Sequence, residues 1–256
     1  MKIFGQPADY SEILKRVFWF SFATGMLCTV MLAKASPAVE ALIDSVVTEA
    51  EIGPIKNIKI LYVLVPGVIA VFSRMIKLHD RISDVLRIRF IFDTQYFLYP
   101  LCQGVGLELN DTRKAAIDKT RDNSMYQTVY KYAGFRDPVI DVQLVRTAAD
   151  NWGWFWVLVE SSFLFLISAI IFACISKWNY MIVFIFVVIL AIVFILFQWL
   201  ACIKSAAPQV QAILSDQDRS AFIRNYFERL TEDAQQSHGG STSDPARGAG
   251  SEASHT

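Results

Sequence analysis

The sequence predicts an all-α integral membrane protein: four transmembrane helices in two hairpins, a small cytoplasmic helical module and a disordered C-terminal tail. Three observations carry this. Charged residues are only 19% of the 256, and the deficit is concentrated in a few long uncharged blocks. Two of these blocks are long enough to cross about 30 Å of hydrocarbon at about 1.5 Å per residue. Elsewhere apolar residues recur at helical spacing and strand-type alternation is weak.

The same arithmetic excludes several classes. The 24 basic residues balance the 24 acidic ones, so the chain lacks the excess charge of a bulk nucleic-acid binder. Four scattered Cys suit neither a disulfide scaffold nor a zinc ribbon.

Two spans are clear. Trp154 to Ile175 is 22 residues with one charge, Glu160, and Tyr180 to Ile203 is 24 residues with none. Only Ser176 to Asn179 separate them, which makes an antiparallel hairpin covering 154–206. The first hairpin, 1–73, is built from shorter runs. Val17 to Ala33 gives 17 uncharged residues and a span at about 17–34; Ile60 to Ser73 gives 14 and a span at about 58–74. Lys59 and Arg74 flank the latter and can snorkel to the interfaces. Pro66-Gly67 at its middle predicts a hinge. Lys15-Arg16 before an apolar run ending Ala33-Lys34-Ala35 also fits a cleaved signal peptide, although 14 residues precede the basic pair.

Basic residues near span ends set the orientation. Lys15 and Arg16 precede span one, and Arg74, Lys77, Arg81, Arg87 and Arg89 follow span two. Segment 35–57 holds Lys56 against Glu40, Asp44, Glu49 and Glu51. Both termini and segment 74–153 are therefore expected in the cytoplasm, with the protein in the cell membrane.

Outside the spans, Ser36-Pro37 opens an amphipathic helix over 37–50 with Val39, Leu42, Ile43, Val46 and Val47 on one stripe, stopped by Gly53-Pro54. Segment 74–153 is the cytoplasmic module. Span two is expected to continue through Leu78, Ile82, Val85 and Leu86 toward Phe92 as one helix. A second helix runs 112–132 from a cap at Asn110 or Asp111 to Gly134, and a third starts at Asp137-Pro138 and feeds span three. About 80 residues make a marginal core, so the module is expected to pack against its own copy in a homo-oligomer. Pro208 should end span four. An amphipathic helix follows within 207–236, and residues 237–256 should be a disordered tail.

The chemistry is sparse. His79, His238 and His255 share no metal-ligand spacing, and no Cys has a partner His, so neither a cofactor nor a metal is expected. His79-Asp80 reads as a solvated helix face. Glu160 stands out. It lies six residues into a span, and an ionisable group there is costly unless it faces a partner or a cavity. Gln198 is a milder case near the same membrane face, and the two are expected to meet across the hairpin. Arg74, Lys77 and Arg81 are candidates for an anionic ligand or lipid head groups.

The expected function is a non-enzymatic oligomeric membrane protein, a pore, channel or membrane-perturbing effector controlled by its cytoplasmic module. The alternative is an anchor or adaptor that recruits a soluble partner to the membrane. The lipid bilayer is the expected partner, with a soluble protein or small ligand as a further candidate and no nucleic acid.

Overall fold

A computed structural model describes residues 7, 9–45, 49–52, 55–134 and 138–239. Among the described residues the regular structure is helical apart from one short hairpin. Helix α1 (Tyr10–Ala35) starts where the Asp9 side chain accepts a hydrogen bond from the Glu12 amide at 2.9 Å. It buries Val17, Ser21, Thr24, Gly25, Thr29 and Ala33, one helical stripe of mostly small residues, while Trp19 and Leu27 on other faces are exposed. Small residues let helix backbones approach closely where apolar surroundings give no hydrophobic drive.

Helix α2 (Pro37–Ser45) is shorter than the predicted 37–50. Strands β1 (Glu49–Ile52) and β2 (Ile55–Lys59) pair antiparallel, Ala50 opposite Ile58, with a bulge between Ala50 and Ile52. Residues 46–48 of the predicted helix lie outside the described residues. The predicted stop at Gly53-Pro54 lies outside the described residues.

Among the described residues three helices are long and apolar enough to cross a membrane: α1, α9 (Val142–Cys174) and α10 (Trp178–Leu214). A fourth candidate is the pair α3 (Leu61–Met75) and α4 (Leu78–Leu86), bent by 54°. α1 packs between α9 and α3, while α9 and α10 form a hairpin that turns at Ser176, where φ is +58°. The apolar stretch of α10 is mostly exposed, with Phe186, Phe194 and Phe197 among its outward residues.

Span two does not continue to Phe92 as one helix. It breaks at Lys77 and again at Arg87, both left-handed (φ +50° and +54°), before α5 (Ile88–Asp93). Each such non-glycine residue costs about 1–2 kcal/mol, and side chains offset the lost helical bonds. Arg81 Nε donates to the Ile76 carbonyl at 3.0 Å, and the Arg89 amide donates to Ser83 Oγ at 3.2 Å. Pro66 is not the hinge either: α3 passes through it, and the bend lies ten residues later. Pro66 instead packs on α1, where a Cβ built on Gly25 would meet Pro66 Cβ at 3.4 Å.

The remaining corrections are local. α5 leads through a π-helical turn (Thr94–Leu98) into α6 (Tyr99–Gly104). The single helix 112–132 is divided into α7 (Asp111–Lys119), capped by Asn110, and α8 (Arg121–Met125) with a π-helical turn to Tyr130. The step is at Thr120, whose hydroxyl donates to the Ala116 carbonyl at 2.8 Å and competes with the backbone ladder. α9 is capped by Asp141 and runs on through Gly153; of the predicted start at Asp137-Pro138, Asp137 lies outside the described residues. α10 continues past Pro208 to Leu214. The cost of an internal Pro, about 3 kcal/mol, is outweighed by the face Ala206, Gln209, Val210 and Ile213, all buried. Helix α11 (Gln217–Gly239) begins where Asp216 accepts from the Arg219 amide at 3.0 Å. It reaches into the predicted tail; residues 240–256 lie outside the described residues.

These extensions change the module. Its core joins Leu98, Leu101 and Cys102 of the α5–α6 arm, Ile117, and Met125 and Val129 to Val210 and Ile213 of α10 and to Ile223 and Phe227 of α11. Tyr226 Oη lies 3.0 Å from Ser124 Oγ, and Arg113 Nε donates to Thr231 Oγ1 at 3.1 Å. Part of the module's apolar surface is thus covered by α10 and α11 of the same chain, while Val85, Leu86, Tyr126 and Val139 stay exposed. α9 and α10 thus run unbroken from the module into the apolar bundle.

Candidate functional site

Glu160 is buried in the middle of α9, 3% exposed. Its carboxyl group is surrounded by side chains from three other helices. Ser21 Oγ of α1 donates to Oε2 at 2.9 Å, and Ser73 Oγ of α3 donates to the same oxygen at 3.2 Å. On the other oxygen, Oε1, His79 Nδ1 of α4 lies at 3.5 Å. One residue therefore ties four helices, next to the 54° break between α3 and α4. The break is what turns His79 toward α9.

His79 has polar partners on both ring nitrogens. Nε2 is 3.6 Å from Asp80 Oδ1 and 3.3 Å from the Tyr10 hydroxyl, and the ring meets Trp156 edge-on at 5.9 Å. Tyr10, His79 and Glu160 form a line from an exposed phenol to a buried carboxyl group. Such a line can pass a proton, and it can equally serve as a latch. Two further contacts fasten α1 to α9: Thr24 Oγ1 donates to Ser161 Oγ at 3.2 Å, and Arg16 Nη1 pairs with Asp150 at 2.7 Å. The Arg16 guanidinium also lies 5.0 Å over the Trp154 ring and passes close to Gly153, whose missing Cβ would sit 3.5 Å from Nη1.

Gln198 does not meet Glu160. Its Nε2 donates to the Asn151 carbonyl at 2.8 Å, nine residues or about 13 Å along α9 from Glu160. Asn151 in turn donates to the Ala201 carbonyl at 3.3 Å. Around this clamp, Phe92, Trp152, Phe155 and Trp199 pack ring against ring, with Phe92 on Trp152 at 4.7 Å. Arg74, Lys77 and Arg81 are all exposed at the bend, on or beside the outward side of α4.

A separate cleft of about 560 Å³ lies between the α4–α5 and α7–α8 junctions, lined by Arg87, Lys119 and Arg121 with Asp84, Asp118 and Asp122. Its mixed charge selects no ligand sign. Beside it Asp93 is buried between Arg121 (3.5 Å) and Arg89 (3.7 Å). Burial pushes its carboxyl up to about 6, against the opposing pull of the two guanidinium groups.

The sequence reading singled out Glu160 and missed its partners. His79 was assigned to solvent because span two was drawn straight. Ser21 and Ser73 carried a signal. The stripe Ser21, Thr24, Gly25 is the small polar face of an otherwise bulky helix, and such a face marks a packing surface. No group of three or more His, Cys, Asp or Glu suited to a metal ion occurs among the described residues.

No curated protein and no solved structure matches the chain. One family does, over residues 9–229, from the cap of α1 into α11, a stretch that holds the Glu160 cluster, the broken helix and the module core. The chain belongs to the YmfE protein family.

Proposed function

We propose that this chain is a non-enzymatic protein of the cell membrane, with both termini in the cytoplasm, whose helical module controls the permeability of its membrane bundle. The observation that carries the reading is the Glu160 cluster: one buried carboxyl group holds Ser21, Ser73 and His79 where the second span is broken. A polar knot at a broken span is a two-state element. Closed, every partner is satisfied; opened, the α3–α4 break is free to move relative to α9. The continuous helices α9 and α10 support the coupling, since binding at the module shifts the bundle only through contacts that differ between two states. In this conformation the bundle closes on Glu160, so a path through the bilayer draws on helices from more than one copy.

The enclosure of Glu160 within one chain favours a second reading, in which the bundle is only an anchor and the module recruits a soluble partner. Dye efflux from liposomes carrying wild type and Glu160→Gln separates the two. Gln keeps the volume and one acceptor oxygen but loses the charge-assisted contacts. The effector reading expects Glu160→Gln to change efflux severalfold at equal insertion. Vesicles that stay equally tight with both proteins, under conditions where the module is folded, sink it in favour of the anchor.

A further inference from the structure

The short helix α4 has two unlike faces. Inward it presents His79 to Glu160 and buries Ser83. Outward it exposes Arg81 and Val85, and the adjoining end of α3 exposes Phe72, Arg74, Met75 and, at the break, Lys77. Three cations thus sit among large exposed apolar side chains: Val85 is 81% exposed, Met75 76% and Phe72 60%.

Depth makes this arrangement informative. Ser73 bonds Glu160, six residues or about 9 Å inside the apolar part of α9, and the break at Lys77 follows Ser73 by four residues, about 6 Å nearer the end of that apolar part. In a membrane the break therefore lies at the head-group boundary of the inner leaflet. A charged side chain exposed to hydrocarbon is costly and normally finds a partner or a polar cavity. Among the described residues Arg74 and Lys77 have no hydrogen-bond or ion-pair partner. Arg81 uses only Nε, on the Ile76 carbonyl.

We propose that this notch holds the head group of an anionic phospholipid of the cytoplasmic leaflet. Its phosphate pairs with Arg74, Lys77 and Arg81, and its acyl chains cover Phe72, Met75 and Val85. The charge sign and the surrounding apolar surface fit a lipid better than a soluble anion, because the acyl chains cover what a free ion leaves exposed. The same nine-residue helix carries His79 on its other face, so head-group occupancy bears directly on the Glu160 cluster. This inference rests on the membrane reading above.

The test uses the full chain in mixed micelles with equimolar phosphatidylglycerol and phosphatidylcholine, counting retained lipids by native mass spectrometry. Each basic residue near a membrane surface favours anionic lipid severalfold, so the wild type should retain phosphatidylglycerol over phosphatidylcholine by about tenfold or more. The triple variant Arg74→Gln, Lys77→Gln, Arg81→Gln should lose the preference, and the charge-conserving Arg74→Lys, Arg81→Lys should keep most of it. A control on the module, Lys131→Gln with Arg224→Gln, should not alter it. Equal retention of both lipids by the wild type overturns the proposal, as does a preference that survives the triple variant. Displacement by excess inorganic phosphate assigns the notch to a free anion and overturns the lipid source. Unchanged lipid ratios with a lower oligomer mass in the triple variant overturn it in favour of a contact between copies. Alkaline carbonate extraction of the chain from vesicles is run first: a chain released by carbonate refutes the membrane reading itself, whereas a resistant chain without lipid preference refutes only this site.

Discussion

Truncating Glu160 to Ala removes three contacts at once: the acceptor for Ser21 at 2.9 Å, the acceptor for Ser73 at 3.2 Å and the partner of His79 at 3.5 Å. Hydrogen bonds between helices in a bilayer average about 0.6 kcal/mol and reach about 1.7; those involving charged groups are the stronger ones. Two short serine bonds and one longer histidine contact then sum to about 2–4 kcal/mol, including the donors left unsatisfied. Glu160→Gln keeps an acceptor for both serines and should cost about 1 kcal/mol. The assay is reversible unfolding in mixed micelles by titrating a denaturing detergent, followed by far-ultraviolet circular dichroism. A double-mutant cycle with Ser21→Ala isolates the pair and should give a coupling of about 1 kcal/mol. Loss of under about 0.5 kcal/mol for Glu160→Ala with no coupling to Ser21 would refute the claim that this side chain ties the helices together.

Other predictions concern the module. Phe227 is fully buried at the meeting of α11, α7 and α10, so Phe227→Ala should cost about 3–5 kcal/mol and detach α11, seen as protease cleavage between α10 and α11. A Cβ on Gly104 would clash with Leu214 Cδ1; Gly104→Val should therefore lower the midpoint of thermal unfolding by several degrees, with partial recovery in Gly104→Val, Leu214→Ala. For Asp93 the folded carboxyl, near 6, lies above its ordinary value of 3.8. Its contribution to stability is therefore greatest below about pH 4 and is lost as pH rises through about 6, a swing of about 3 kcal/mol at most. Asp93→Asn should flatten stability against pH across that window; an unchanged profile would show that Asp93 titrates normally.

Legibility in the sequence followed the range of the interaction. The uncharged blocks gave three of the candidate spans because hydropathy over about 20 residues is a sum that single residues do not upset. Glu160 was readable for the same reason, as one charge in 22 residues. What failed was local continuity set by tertiary contacts. Pro208 does not end α10, because the buried face around it packs on α11 and the α5–α6 arm. Conversely the second span breaks at Lys77 and Arg87, where no Gly or Pro announces a break. The left-handed turns there persist because Arg81 and Ser83 satisfy the freed backbone groups and His79 reaches Glu160. Drawing that span straight sent His79 to solvent and left Glu160 without its partner. The expected meeting of Glu160 with Gln198 failed on depth along α9, since Gln198 pairs instead with Asn151, nine positions away.

The most direct test of the Glu160 cluster as a latch is to lock it chemically and read permeability. Thr24 and Ser161 hydroxyls are 3.2 Å apart, joining α1 to α9 at the residue next to Glu160, so sulfur atoms in their places lie within reach of a bond of about 2.05 Å. In a background with the four native cysteines replaced, Thr24→Cys, Ser161→Cys is combined with Glu160→Gln, and dye efflux from vesicles is followed before oxidation, after oxidation and after reduction. A latch predicts efflux that falls when the disulfide forms and returns on reduction. A disulfide that forms in full while efflux stays constant contradicts the latch, and failure of the two cysteines to cross-link contradicts the packing of α1 on α9 at this depth.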